Sequence, residues 1–350
     1  MIQTLLDGTY EGVELFHVRM DFSRDLNASG KWGIGKLWVL IRVVMEIVYF
    51  RVRRAPEVLY YPPAGPRFLP VARDMFVLCL TRWLFRLTVF HFHASGLTDY
   101  RAQLNPVLRK LFDVAYSRPD VAIRLSKSAP AEGPKLGCKR EYIVANGIED
   151  SAGHEIARHK QIGEPVRILF VALLTEDKGV LKAIEAVHTL IKAGVPIQLT
   201  CMGQWESSEI ESRAEAMIDA DLRHFFDFPG VLAGEDKWEY FRRADVFLFP
   251  SHFHSETFPL VLLEAMCFSL PVVSTHWRGI PDVVEDGANA ILVGPHDMTA
   301  CIAALALLVG DEKLRSEMAT KSRERFTENF TIEAHRKALA IVFQSLKGSV

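Results

Sequence analysis

The sequence predicts an α/β protein made of two Rossmann-like, doubly wound parallel-sheet domains. Three observations carry this expectation. At 350 residues the chain is longer than one typical core holds. Apolar runs of strand length alternate with segments whose apolar residues recur at helical spacing, the βαβ pattern of a parallel sheet. That pattern stops and restarts around residues 151–164 (SAGHEIARHKQIGE), a polar stretch without an apolar face that reads as an interdomain connection.

In the first domain, residues 1–155, strands are expected at 13–22, 57–61, 87–92, 121–125 and 142–144, with helices at 36–54, 67–85 and 99–116. In the second, residues 165–330, strands are expected at 167–171, 197–202, 224–228, 246–250 and 271–274. Helices fill 179–193, 207–218, 237–243 and 259–268, and a helical tail runs from 298 onward. Residues 331–350 read as a C-terminal helix returning toward the N-terminal domain. Open α/β sheets bind ligands beyond the carboxyl ends of their strands, so chemistry is to be sought there.

Composition narrows the classes. Hydrophobic residues at 49% and charged residues at 24% fit a packed globular chain rather than a disordered or disulfide-stapled one. With 41 Lys+Arg against 43 Asp+Glu, the net charge of −2 argues against nucleic acid as a partner. The five cysteines are scattered without a C-x-x-C pair, which suggests neither disulfides nor zinc and points to a reducing, cytoplasmic setting. No signal peptide opens the sequence, and the apolar run 37–50 is too short to span a bilayer and contains Arg42 and Glu46.

The helix at 36–54 is apolar nearly all round and ends in Arg51, Arg53 and Arg54. The following segment, 67–86, mixes Phe76, Leu78, Trp83 and Phe85 with Arg73, Arg82 and Arg86. Two readings stand side by side: a helix buried between a sheet and its neighbours, or a weak, salt-sensitive peripheral association with the cytoplasmic face of a membrane.

Among possible chemical motifs, residues 30–37 (GKWGIGKL) approach the phosphate loop G-x-x-x-x-G-K-[ST], but Leu37 replaces the hydroxyl that must hold magnesium. No G-x-G-x-x-G follows an expected strand, which argues against dinucleotide chemistry. The informative stretch is 247–275, FLFPSHFHSETFPLVLLEAMCFSLPVVST. There a buried strand ends at Pro250-Ser251, a polar loop carries Glu256, and a helix is expected to begin at Pro259. The free amides and positive dipole end of such a helix suit an anion such as a diphosphate. Glu264 lies about 7.5 Å farther along the axis, so two carboxylates bracket the anion site. A sugar on one side and a ribose on the other would explain them; a capping Glu256 and a solvated Glu264 are the plain alternative.

With those residues in view, E-T-F-P-L-V-L-L-E followed by A-M-C-F-S-L-P-V-V-S-T resembles the E-x7-E signature of the retaining, sugar-nucleotide-dependent GT-B glycosyltransferases of family 4 type. FVALLTEDKG at 170–179, the short glycine turn at 201–204 and GIPDVVEDG at 279–287 resemble further motifs of that family in the same order, so the likeness covers most of residues 141–330. It implies a GT-B fold with two domains facing a cleft. It also implies sugar transfer from a nucleoside diphosphate sugar to a hydroxyl of a glycan, lipid-linked or small-molecule acceptor, with retention of configuration and without a metal or other cofactor. Position by position, Glu256 would contact the donor sugar hydroxyls, Glu264 the ribose, the amides near Phe258 and Leu260 the diphosphate, and Lys178 would supply positive charge. His93, the second histidine of H-x-H in VFHFHASG, would reach the donor sugar and diphosphate; a structural strand-end histidine is its alternative. His252 and His254 form another H-x-H with the same plain reading. The sequence departs from the family at Leu173, where many members carry an arginine. It also departs at its start, where residues 1–10 resemble the later part of a first helix that family members precede with a strand and a Gly-Gly loop. Those departures motivate a second reading, a catalytically silent GT-B protein that binds sugar nucleotide or a partner enzyme.

Overall fold

The computed structural model describes residues 2–20, 34–153 and 164–347 of the protein. The near-match to a phosphate loop begins outside the described residues, as does most of the expected connection at 151–164. Two compact units emerge, Met1–Ala145 with His335–Val350, and Asn146–Ala334.

The first unit runs α1 (Ile2–Leu6), α2 (Ile34–Arg54), β1 (Val58–Tyr61), α3 (Phe68–Thr81), β2 (Leu87–Phe92), α4 (Leu97–Arg101), α5 (Pro106–Tyr116), β3 (Val121–Arg124), α6 (Glu132–Lys135) and β4 (Arg140–Ile143). Its four strands pair in parallel in the order β1-β2-β3-β4. Two expectations change here. Residues 13–20 join no ladder beyond a bridge between Tyr10 and Val13, and 21–22 lie outside the described residues. The alternating apolar residues of this stretch serve packing instead, Val13 and Leu15 against one core cluster and Val18 and Met20 against the other. The single helix expected at 99–116 is broken in two, because Pro106 begins α5 and Asn105 caps it by accepting from Leu108 N at 2.9 Å.

The second unit runs β5 (Val166–Val171), α7 (Val180–Lys192), β6 (Ile197–Met202), α8 (Ser208–Ala216), β7 (Phe226–Gly230), α9 (Gly234–Arg243), β8 (Val246–Phe249), α10 (Leu260–Cys267), β9 (Val272–Thr275), α11 (Ile280–Val283), β10 (Ala290–Val293), α12 (Met298–Gly310) and α13 (Glu312–Asn329). The last helix, α14 (Ile332–Lys347), crosses from this unit back into the first. Six parallel strands order as β10-β9-β8-β5-β6-β7. Strand β8 is buried along its whole length, which is why it reads as a continuous apolar run.

Each face of the first sheet has its own core. On one face Leu40, Val43 and Ile47 of α2, Val71, Met75 and Leu78 of α3, and Phe112 and Tyr116 of α5 pack with Phe90 and Phe92. On the other, Leu339, Val342, Phe343 and Leu346 of α14 pack with Leu5, Val89, Val121 and Ile123. Each such side chain, fully buried, contributes about 1.5–3 kcal/mol of hydrophobic stabilisation, so α14 is an integral part of the first unit. Among the described residues no helix is long and apolar enough to cross a membrane.

Candidate functional site

The order of the six-stranded sheet reverses between β5 and β8, which pair directly through Ile168–Val246 and Leu169–Phe247. At such a switch point the loops leaving the two strands diverge in opposite directions and open a crevice at their carboxyl ends. The loop after β5 carries Lys178 and the loop after β8 carries Glu256. Two glycines bring the backbones together there. Gly179, at φ +92°, stands where a Cβ would be 2.6 Å from the Pro250 carbonyl oxygen, so only glycine lets the start of α7 close on the end of β8. Gly203, at φ +148°, has the same role at the neighbouring strand, where a Cβ would be 1.8 Å from the Ala172 carbonyl oxygen.

Lys178 Nζ donates to Glu256 Oε2 at 2.6 Å, and the Ser251 hydroxyl donates to the same oxygen at 3.2 Å. Glu256 is buried, and a buried carboxylate needs such partners to offset its lost hydration. The ammonium also lies 4.6 Å from the centre of the Phe253 ring. The loop itself is anchored: Thr275 Oγ1 donates to the Ser251 carbonyl, and Trp277 Nε1 to that of Phe253 at 2.8 Å. Glu256 is therefore held in a fixed place by β9 and the residues after it, and is no simple helix cap.

Helix α10 begins one residue later than expected. Pro259 is its N-cap, at φ −68° and ψ 110°, and Leu260 is the first helical residue. Among the described residues no side chain caps this end; Leu262 N bonds back to the Pro259 carbonyl at 3.1 Å, and the positive end of the helix dipole is available to an anion. The Phe258 ring is buried and packs edge-on to Phe330, while Leu260 is exposed, so each offers the site its backbone rather than its side chain. Glu264, one turn on, is not merely solvated. Its Oε1 accepts from Lys237 Nζ at 2.7 Å, and both side chains are largely enclosed. Lys237, on α9, lies against the Trp238 ring as well. Its sequence surroundings, GEDKWEYF, gave no sign that it would meet Glu264. Leu173 is exposed and offers the site no charge.

His252, of the second H-x-H, is held beside a lysine. Its Nδ1 lies 3.2 Å from Lys182 Nζ, which also donates to the Pro295 carbonyl, and burial first and Lys182 second push its pKa down.

His93 belongs to the first unit. It directly follows β2, with its ring centre 4.1 Å from that of His91, and His91 Nδ1 is bonded to the Tyr60 hydroxyl. His335 of α14 faces the same small space and is tied through its Nδ1 to the Ala145 carbonyl at 2.7 Å. Burial, with His335 adding repulsion, pushes His93 down to about 4, so the ring is neutral at pH 7 and can accept as well as donate. Among the described residues no group of His, Cys, Asp or Glu is arranged to hold a metal ion. A cavity of about 1110 Å³ in the first unit, lined by Phe16, Phe50, Leu59 and Arg73 among others, contains none of the six candidate residues.

Residues 154–325 match the family described as Glycosyl transferases group 1. This segment is similar to the group 1 glycosyl transferases. A putative colanic acid biosynthesis glycosyltransferase, WcaL of Salmonella typhimurium, is 29% identical over 272 residues, covering 74% of this chain and 64% of WcaL. The chain thus spans a little under two thirds of that relative's length. In structure, sucrose-phosphate synthase from Thermosynechococcus elongatus superposes with a TM-score of 0.69 at 18% identity, over 91% of this chain and 81% of that one. Anabaena Alr3699/HepE, solved with UDP and glucose, gives 0.68 at 17% identity over 90% and 83%. The fold of the protein is GT-B.

Proposed function

We propose that the protein transfers a sugar from a nucleoside diphosphate sugar to a hydroxyl of a glycan, lipid-linked or small-molecule acceptor in the cytoplasm, with retention of configuration and without a metal or other cofactor. The observation that carries this reading is the Lys178–Glu256 pair beside the uncapped start of α10 at the sheet's switch point. A diphosphate at that helix end would draw Lys178 toward itself and leave Glu256 free to accept from sugar hydroxyls. Glu264 would accept from ribose hydroxyls. As the glycosidic bond breaks, negative charge grows on the leaving diphosphate, and the Lys178 ammonium with the helix dipole stabilises it in the way a metal otherwise does. His93, neutral and half-buried, would hydrogen-bond the donor sugar. Retention rests on the family resemblance of the E-x7-E segment, and a role in polysaccharide assembly on the names of relatives such as WcaL.

The test is a panel of UDP-, GDP- and ADP-sugars in thermal unfolding, followed by transfer assays with the stabilising donor and NMR of the product anomer. A true donor raises the melting temperature with concentration as mass action requires, and transfer persists in EDTA with the donor's anomeric configuration kept. Binding without transfer to any acceptor would favour the silent GT-B protein, and EDTA-sensitive transfer restored by manganese would overturn metal independence.

A further inference from the structure

Helix α2 presents two opposite faces. Leu40, Val43 and Ile47 point into the core. Trp38, Ile41, Met45, Tyr49 and Val52, spaced by three or four residues, are 39 to 76% exposed. At 100° per residue these five fall within an arc of about 80°, a continuous apolar stripe on the solvent side. The neighbouring elements extend it. Arg51 Nε donates to the Leu84 carbonyl at 2.7 Å, which brings the turn carrying Trp83, 75% exposed, to the C-terminal end of α2. In the same helical layer α3 exposes Phe76 and Leu80, and α5 exposes Val107, Leu111 and Val114. Single exposed apolar residues need no explanation, but a stripe of this length across packed helices does.

The charge around the stripe is one-sided. Residues 34–86 hold nine Lys+Arg against three Asp+Glu, in a chain whose net charge is −2. Three of those cations are committed to the fold. Arg51 holds Leu84, Arg73 pairs with Asp74 at 2.8 Å, and Arg82 donates to the carbonyls of Ala115 and Arg118. Arg53 and Arg86 are exposed, and Arg42, also exposed, donates to the Arg19 carbonyl at 3.1 Å and lies 3.7 Å from Glu46. A second copy of this chain docked on the same face would bring like charge against like.

We propose that this face of the first unit is a docking surface for an anionic phospholipid bilayer. Met45, Val52 and Ile41 enter the acyl boundary, and Trp38, Tyr49 and Trp83 sit at headgroup level, where indole and phenol rings satisfy both their apolar and polar portions. The exposed arginines meet lipid phosphates. The inference stands on the first unit alone and does not depend on the donor site in the second.

The experiment is co-sedimentation of the full chain with phosphatidylcholine vesicles made with and without phosphatidylglycerol, at low and high salt. Two double variants accompany it, Met45→Glu with Tyr49→Glu for the stripe and Arg53→Ser with Arg86→Ser for the rim. Arg51 is left alone because it ties α2 to the Leu84 turn. The expected result is salt-sensitive binding to the anionic vesicles only. It is abolished by the stripe variant and weakened about fivefold per cation removed in the rim variant, with each variant's unfolding transition as cooperative as the parent's. Equal binding to both kinds of vesicle, or binding unaffected by either variant, would overturn the proposal. So would a dimer, seen by sedimentation equilibrium, that the stripe variant splits while no lipid is bound.

Discussion

Lys178 Nζ and Glu256 Oε2 lie 2.6 Å apart, joining the loops that leave β5 and β8. Because Glu256 is the more deeply buried partner, the two halves of the pair are not equivalent. Removing the lysine strands a carboxylate away from water, whereas Glu256→Gln keeps an acceptor for Ser251 and leaves the ammonium partly solvated. Lys178→Met is therefore expected to cost about 3 kcal/mol in urea unfolding, the low end of a broken buried pair, and Glu256→Gln less than half of that. The double variant should fall well short of the sum of the singles. Equal costs for the two single variants would mean that the pair is solvated.

Glu264 and Lys237 form the corresponding pair beyond the first turn of α10. If Glu264 accepts from ribose hydroxyls, Glu264→Ala weakens nucleoside diphosphate binding by about 1.5–3 kcal/mol, the worth of a hydrogen bond to a charged group. Glu256→Ala should instead lower turnover far more than nucleotide affinity. Calorimetric titration with the nucleoside diphosphate, alongside steady-state turnover, separates the two. The reverse pattern would exchange the assigned roles, and two neutral variants would place the site elsewhere.

Much of this was legible in the sequence because it depends on local chemistry. The continuous apolar run of β8 marks a strand buried on both faces, and E-x7-E straddling a proline marks an open helix end. What could not be read needed partners distant in the chain. Lys237 precedes Glu264 by 27 residues and meets it only because α9 and α10 lie near each other in the fold. His335 joins His91 and His93 only because α14 returns to the first unit. Residues 13–20 have the alternation of a strand, yet strand formation requires a ladder, and their apolar side chains are divided between two cores. Strand β10 went unread although, at four residues, it is no shorter than β8.

The histidines His91, His93 and His335 make stability depend on pH in one direction. Burial pushes all three below the ordinary imidazole value, His93 to about 4. The folded state therefore binds fewer protons than the unfolded state once the pH falls below about 6.5. Stability is complete above that value and declines as the pH falls toward the folded values. Carboxylates held low by arginine, such as Asp150 beside Arg323, lose their contribution only at more acid pH, below about 4 to 5, and so leave the upper window to the histidines. Urea midpoints measured between about pH 7.5 and pH 5 should fall with acidification, and His335→Gln should flatten the slope. A midpoint that is level or rises over that range would contradict the burial of these rings.

The approach of the β5 and β6 ends at Gly203 gives the sharpest structural test, because glycines of similar backbone type but different surroundings serve as controls. Gly194→Ala, at φ +81° with nothing within 4 Å of the added carbon, meets only the left-handed backbone penalty, about 1–2 kcal/mol. Gly203→Ala adds to a positive φ a methyl 1.8 Å from a backbone carbonyl oxygen, which no rotamer change can relieve. Its cost should exceed about 4 kcal/mol, the range reserved for changes that force the backbone apart. Gly179→Ala is intermediate, since its methyl meets the Pro250 carbonyl at 2.6 Å. It should also weaken nucleotide binding, because the displaced residue adjoins Lys178. Urea unfolding of the three variants should rank them Gly194, Gly179, Gly203 in rising cost, with a nucleotide effect at Gly179 and none at Gly194. A Gly203→Ala protein as stable as Gly194→Ala would show that the loops leaving β5 and β6 are not in contact, and the arrangement of the Lys178 loop built on that contact would fall with it.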